Sequence, residues 1–216
     1  MTDYTLHSFV QSGNAYKVAL MLEVAEADWR PEFVDFMNGA TRTPEYRALN
    51  AMGEVPVLVD HTMRNSDDEL LTLSQTGVIL YHLAERFTQF GPRDKGEDRE
   101  ILRWILWDNH KFTGMIAPWR FMSHFMKKDG PEVEFLKGRA MSAIKVLERH
   151  LDGREWVATD RATIADFSLV GYLYWPDHIG IDWADYPNIQ AWLARIRKLP
   201  NWKRPEDILP SGPTET

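Results

Sequence analysis

Gly53-Glu54-Val55-Pro56-Val57-Leu58-Val59-Asp60 places a proline at the head of an apolar run that reads as a strand. A proline there removes a ladder donor, so its presence needs a reason. One reason is a trans proline that simply opens the strand, since only about 5–6% of X-Pro bonds are cis. The other is a cis Val55–Pro56 bond, which turns the N–H and C=O of Val55 outward, toward an extended peptide. The flanking segments favour the cis reading. Upstream, Tyr4–Phe9 predicts a strand, and VQSGN a turn. Ala15–Glu26 predicts a helix from the spacing of Val18, Met21, Leu22 and Ala25. Glu32–Phe36 predicts a second strand, and Thr43 caps a short helix begun by Pro44. Downstream, Glu69–Leu73 predicts the partner strand of Val57–Val59. Ser74 is then expected to cap a helix with Ile79, Leu80, Leu83, Ala84 and Phe87 on one face. The order β-α-β-α-β-β-α is a parallel βαβ start closed by an antiparallel hairpin, with helices covering the sheet.

Beyond residue 87 the character changes. TQFGPRDK, at 88–95, reads as a linker, and every strong signal after it is helical. Helices are expected from Glu97 to about His110, over Pro131–Leu151, over Thr163–Tyr174 and over Pro187–Leu199. The third opens on Thr163-x-x-Asp166, a capping box. The expected organisation is therefore an α/β domain at 1–87, a linker at 88–95 and an all-α domain at 96–216. The tail from Pro205 to Thr216 is expected to be loosely held.

Composition narrows the chemistry. The chain has 216 residues and a net charge of −7, which argues against nucleic acid or an anionic membrane as partner. It contains no cysteine, so any thiol that reacts here must be brought in by a ligand. The seven histidines show no HxH or HExxH spacing, and no metal site is expected. MTDYTLHSFV carries neither the basic region nor the long apolar run of a signal peptide, and the expected location is cytoplasmic. Of nine tryptophans, eight follow residue 100, as a bulky aromatic core or an aromatic ligand wall would both require.

Two further places could carry chemistry. Leu73-Ser74-Gln75-Thr76 lies at a strand-to-helix junction, where free N–H groups and the helix dipole suit a carboxylate; a simple cap explains it equally well. Ser12-Gly13-Asn14 lies in the turn before the first helix. A thiolate held there would meet a hydroxyl, backbone N–H groups and the positive end of the helix dipole. Lowering a free thiol from about 8.5 to about 6.5 takes roughly 2.7 kcal/mol, most of which one charge-assisted hydrogen bond can supply. No GxSxG accompanies Ser12, so it is not read as an acyl nucleophile.

These sites in this order, with ALNAMGEVPVLVD (48–60), LSQTGVILYHLAERF (73–87), ATIADFSLVGYL (162–173) and YPNIQAWLARIRKLPNW (186–202), resemble the cytosolic glutathione transferase superfamily. The Ser12-Gly13-Asn14-Ala15-Tyr16-Lys17-Val18 segment is similar to that of the bacterial Nu-class and yeast prion-like relatives, departing at Gly13 and Ala15. The resemblance implies a thioredoxin-like α/β N-terminal domain followed by an all-α C-terminal domain. It implies glutathione as co-substrate with no tightly bound cofactor, and a cytoplasmic homodimer with a detoxification role. Val55 and Pro56 would align the tripeptide, and Gln75 and Thr76 would hold its γ-glutamyl end. Ser12, with Asn14, would activate the thiol. Glu54 stands where a cation or amide near the glycyl carboxylate is common, and Arg42 or Lys17 could compensate. The implied activity is conjugation of glutathione to a small hydrophobic electrophile. The alternatives are glutathione-dependent reduction of a disulfide or peroxide, and binding without catalysis. The co-substrate would be met by Val10 and, on the helical side, by Trp107, His110, Lys111, Met115, Trp119 and Phe121, although core packing accounts for many of these as well.

Overall fold

The computed structural model describes residues 2–213. The chain forms two compact units: residues up to Gln89 together with those from Pro200 onward, and Phe90–Leu199.

The first unit is built on a four-stranded sheet of β1 (Tyr4–Ser8), β2 (Trp29–Phe33), β3 (Val57–Arg64) and β4 (Leu70–Ser74), in the order β2-β1-β3-β4. β1 runs parallel to β2 and antiparallel to β3, and β3 and β4 form the antiparallel pair. With α1 (Gly13–Val24), α2 (Pro44–Leu49) and α3 (Thr76–Phe87), this is a thioredoxin-like α/β unit. Its centre is apolar: Leu6, Val18, Leu22, Leu58, Ile79, Leu80 and Leu83 are fully buried.

Several boundaries differ from the sequence reading. β2 lies three residues earlier than expected. It is an edge strand, and an edge tolerates the missing donor of Pro31. The chain beyond it turns so that Phe36 stacks on Phe9, ring centroids 4.9 Å apart. α1 begins at Gly13 rather than Ala15, because Ser12 caps it. Ser74 is not a cap: it ends β4, paired with Val57, and Gln75 takes the capping position without a side-chain bond. Thr43 caps α2 as expected, accepting from the Tyr46 amide.

The second unit is helical, with α4 (Lys95–Trp107), α5 (Thr113–Arg120), α6 (Pro131–His150), α7 (Ile164–Val170), α8 (Pro176–Ile179) and α9 (Pro187–Ile196). Asp94, not Glu97, starts α4, its carboxylate accepting from the Gly96 and Glu97 amides. At Asp108 the helix widens into a π turn that continues to Phe112. A second π turn, Phe121–Phe125, follows α5, whose Pro118 lacks an amide hydrogen. Thr163 and Asp166 form the expected capping box. Asp166 also accepts from the Val157 amide at 3.0 Å and the Trp192 indole at 2.9 Å, tying three segments together.

The last described segment returns to the first unit. α10 (Pro205–Ile208) packs on α1, with Pro205, Ile208 and Leu209 buried. The expectation of a loose tail fails through Pro210, because Pro205, Ile208 and Leu209 have a surface to cover and the Pro210 carbonyl accepts from the Val10 amide. Residues 214–216 lie outside the described part.

Candidate functional site

Ser12 is almost wholly buried at the head of α1. Its Oγ accepts from the Ala15 amide at 3.1 Å, so its own hydrogen is left to donate. The Gly13 and Asn14 amides sit in the first turn, where no earlier helical carbonyl can take them. Asn14 Oδ1 is buried and has no hydrogen-bond partner. Ser8 is set apart from this group: fully buried in β1, it donates to the Leu6 carbonyl at 3.2 Å. The turn thus brings together a hydroxyl hydrogen, two amides and an amide side chain.

The Val55–Pro56 bond is cis. β3 begins at Val57, so Val55 stands outside the ladder. α2 holds the approach to it. The Glu54 carbonyl accepts from the Tyr46 hydroxyl at 2.9 Å and from Asn50 Nδ2 at 2.8 Å. Asn50 is buried, and burial pushes the Tyr46 phenol well above its usual range, keeping it a donor. Gly53, at φ +64°, completes the bend; a Cβ there would lie 2.8 Å from the Thr41 carbonyl oxygen. Sequence reasoning missed Tyr46 and Asn50. Their signal was weak, a polar pair on a short helix just before the proline segment.

Gln75 has φ 67° and ψ 112°, a conformation that costs a side-chain-bearing residue about 1–3 kcal/mol and gathers at ligand sites. Its Nε2 donates to Glu54 Oε2 at 3.0 Å and lies 3.0 Å from Met52 Sδ. Thr76 follows as the buried first residue of α3. Glu54, expected to face the glycyl carboxylate, is thus joined to Gln75. Of the two compensating cations, Arg42 is exposed, whereas Lys17 is completely buried within α1. Val10 is half-buried, and its amide donates to the Pro210 carbonyl at 2.9 Å.

Trp107 and Lys111 line a cleft of about 290 Å³ with Arg139, Ser142, Ala143 and Val146 of α6. His110 is exposed, Met115 half-buried, Trp119 buried in α5 and Phe121 exposed. One cluster was not anticipated. Buried Arg120 directs Nε and Nη2 to His178 Nδ1, at 3.1 and 3.0 Å, and lies 4.2 Å from the Trp175 ring. Among the described residues no group of histidines and acids could hold a metal ion. No helix among them is long and apolar enough to cross a membrane.

Comparison with known proteins places this geometry. The model of the glutathione S-transferase N-terminal domain matches residues 2–85, and that of the C-terminal domain matches residues 112–200. The chain belongs to the glutathione S-transferase family. It is similar to the disulfide-bond oxidoreductase YfcG of Escherichia coli, 28% identical over 197 residues that cover 89% of each chain. A glutathione S-transferase crystal structure from Pseudomonas fluorescens Pf-5 superimposes with TM-score 0.83 at 28% identity, covering 94% of this chain and 99% of that one. The structure of Ure2p in complex with glutathione superimposes with TM-score 0.81 at 25% identity, covering 93% and 91%. Glutathione is therefore a ligand of relatives that share this transferase fold.

Proposed function

We propose that the protein binds glutathione on its first unit and activates it as a thiolate at the Ser12–Asn14 turn. The observation that carries the reading is the supply of uncommitted donors in that turn: the Ser12 hydroxyl hydrogen and the first amides of α1. Asn14 Oδ1, a buried acceptor without a partner, costs about 1–3 kcal/mol, which an N–H of the bound tripeptide, not its sulfur, can recover. As the thiol proton leaves to solvent, Ser12 donates to the sulfur and the α1 dipole favours the negative charge. Val55 and Pro56 align the cysteinyl part, and Gln75 and Thr76 take the γ-glutamyl end. Glu54, drawn to Gln75, supplies the negative charge that an amide at 75 lacks, and meets the α-ammonium group. Arg42, the exposed one of the two cations, is assigned to the glycyl carboxylate.

The thiolate then attacks an electrophilic carbon, forming a C–S bond and expelling the leaving group. A second reading is disulfide reduction: the thiolate attacks an S–S bond and releases one thiolate, and a second glutathione resolves the mixed disulfide to give oxidised glutathione. The name of the E. coli relative favours it, and the absence of cysteine means both reducing sulfurs come from glutathione. The test assays both reactions on wild type and on Ser12→Ala. At neutral pH we expect Ser12→Ala to lower kcat/KM about tenfold to a hundredfold, the loss of one charge-assisted donor. Full activity in Ser12→Ala sinks the role of Ser12. Glutathione binding without either turnover sinks the catalytic reading and leaves a binding protein.

A further inference from the structure

The turn that carries Ser12 is held from a distant part of the chain. Inside the turn, the Ser12 amide donates to the Phe9 carbonyl at 3.0 Å, and the Val34 amide donates to the Ser8 carbonyl at 2.9 Å. Between them, the Val10 amide donates to the Pro210 carbonyl at 2.9 Å, across two hundred residues of sequence. The rest of the C-terminal segment follows α1 back to that point. Asn201 Nδ2 donates to Glu26 Oε1 at 2.9 Å, just beyond the end of α1. Lys203 Nζ pairs with Glu23 Oε2 at 2.7 Å, and the Lys203 carbonyl accepts from the Tyr16 hydroxyl at 2.7 Å. Tyr16 is fully buried, and its own amide donates to the Ser12 carbonyl at 3.0 Å. Pro205, Ile208 and Leu209 are buried along the way.

We infer that residues 201–210 are a strap that positions the thiol-activating turn, with the Val10–Pro210 and Tyr16–Lys203 bonds as its two grips. This rests on the proposed role of Ser12. The strap reaches either side of Ser12 through two of its own main-chain carbonyls, which accept from the Val10 amide and the Tyr16 hydroxyl, and contributes no side chain to the sulfur, so its residues are positioning residues. A hydrogen bond to a thiolate weakens steeply once its donor is misaligned. The strap therefore governs the thiolate fraction rather than the grip on the tripeptide, which belongs to Val55, Gln75 and Thr76.

Three chains test this: one ending at Pro213, which keeps both grips; one ending at Leu209, which loses the Pro210 carbonyl but keeps Ile208 and Leu209; and full-length Tyr16→Phe, which loses the Lys203 grip alone. Hydrogen exchange at the Ser12 and Ala15 amides, glutathione affinity by calorimetry and the pH profile of kcat/KM are measured on each. The chain ending at Pro213 should match wild type. The chain ending at Leu209 should exchange about tenfold faster at these amides and bind glutathione within about twofold of wild type. Its pH midpoint should rise by about one unit, a tenfold fall in thiolate fraction. Tyr16→Phe should move the same way by less, and it decides the matter if the chain ending at Leu209 does not fold. Unchanged exchange and an unchanged midpoint overturn the strap, as does a loss of glutathione affinity equal to the loss of rate. If the full chain turns over no glutathione, the proposed function falls, and exchange alone decides whether the segment holds the turn.

Discussion

Glu54→Gln separates two opposite electrostatic accounts by the sign of one number. The family resemblance puts Glu54 near the glycyl carboxylate, where removing its charge would tighten glutathione binding. The structure instead joins its carboxylate to Gln75 Nε2 at 3.0 Å, at the junction assigned to the γ-glutamyl end, where the α-ammonium group needs an anion. Glutamine keeps the shape and can still bond Gln75, so the substitution isolates the charge. Glu54 is exposed, so the interaction is screened, and a pair at about 4 Å in water contributes on the order of 1 kcal/mol. That is about a fivefold rise in Kd, read by calorimetry at low salt and shrinking as salt is added. A glutathione analogue lacking the α-amino group should bind wild type and Glu54→Gln equally, closing a cycle that assigns the effect to that one contact. A lower Kd in Glu54→Gln, or an equal loss with the analogue, refutes the reasoning.

Two further predictions concern stability. Asp60 is completely buried; burial pushes its carboxyl up, but hydrogen bonds from Thr62 and His82 outweigh this and hold it below the usual carboxylate range. Its stabilisation is present above the unfolded value of about 3.9 and is lost as pH falls through the folded value, so Asp60→Asn should flatten the acid limb of a denaturation midpoint followed below about pH 4. Asp166→Ala removes the shared acceptor of the Thr163 and Val157 amides and the Trp192 indole, and should cost at least about 3 kcal/mol in denaturant unfolding. A cost below about 1 kcal/mol would mean that water replaces the carboxylate.

What could be read from the sequence was what local chemistry determines. Thr43 before Pro44, and Thr163 three residues before Asp166, are caps whose partners lie within one turn, and both form. The cis bond before Pro56 followed from a proline placed against an apolar strand in a βαβ-hairpin order. What escaped depends on pairings distant in sequence. Glu54 and Gln75 are 21 residues apart and meet only because β3 and β4 pair in register, Val57 opposite Ser74. Ser74 reads as a good cap, but the same register keeps it in the strand. The later strand start followed from the apolar Phe33, Val34 and Phe36, and only the edge position of β2 makes Pro31 acceptable within it. The aromatic cage of Arg120 gathers Phe125 from the second π turn and Tyr172 and Trp175 from the α7–α8 connection, and no periodicity announces it. Three prolines and the polar SGPTET end hid the seating of Ile208 and Leu209.

The return of residues 200–213 to the first unit bears on how the protein is made. A ribosome delivers the sheet and α1–α3 first, then all of 90–199, and only then the segment that covers α1. Domains released in order generally fold in order. Here the patch that Pro205, Ile208 and Leu209 cover stays open until those residues emerge, after the whole of the helical unit. The nascent chain therefore presents this patch to chaperones throughout the synthesis of the helical unit.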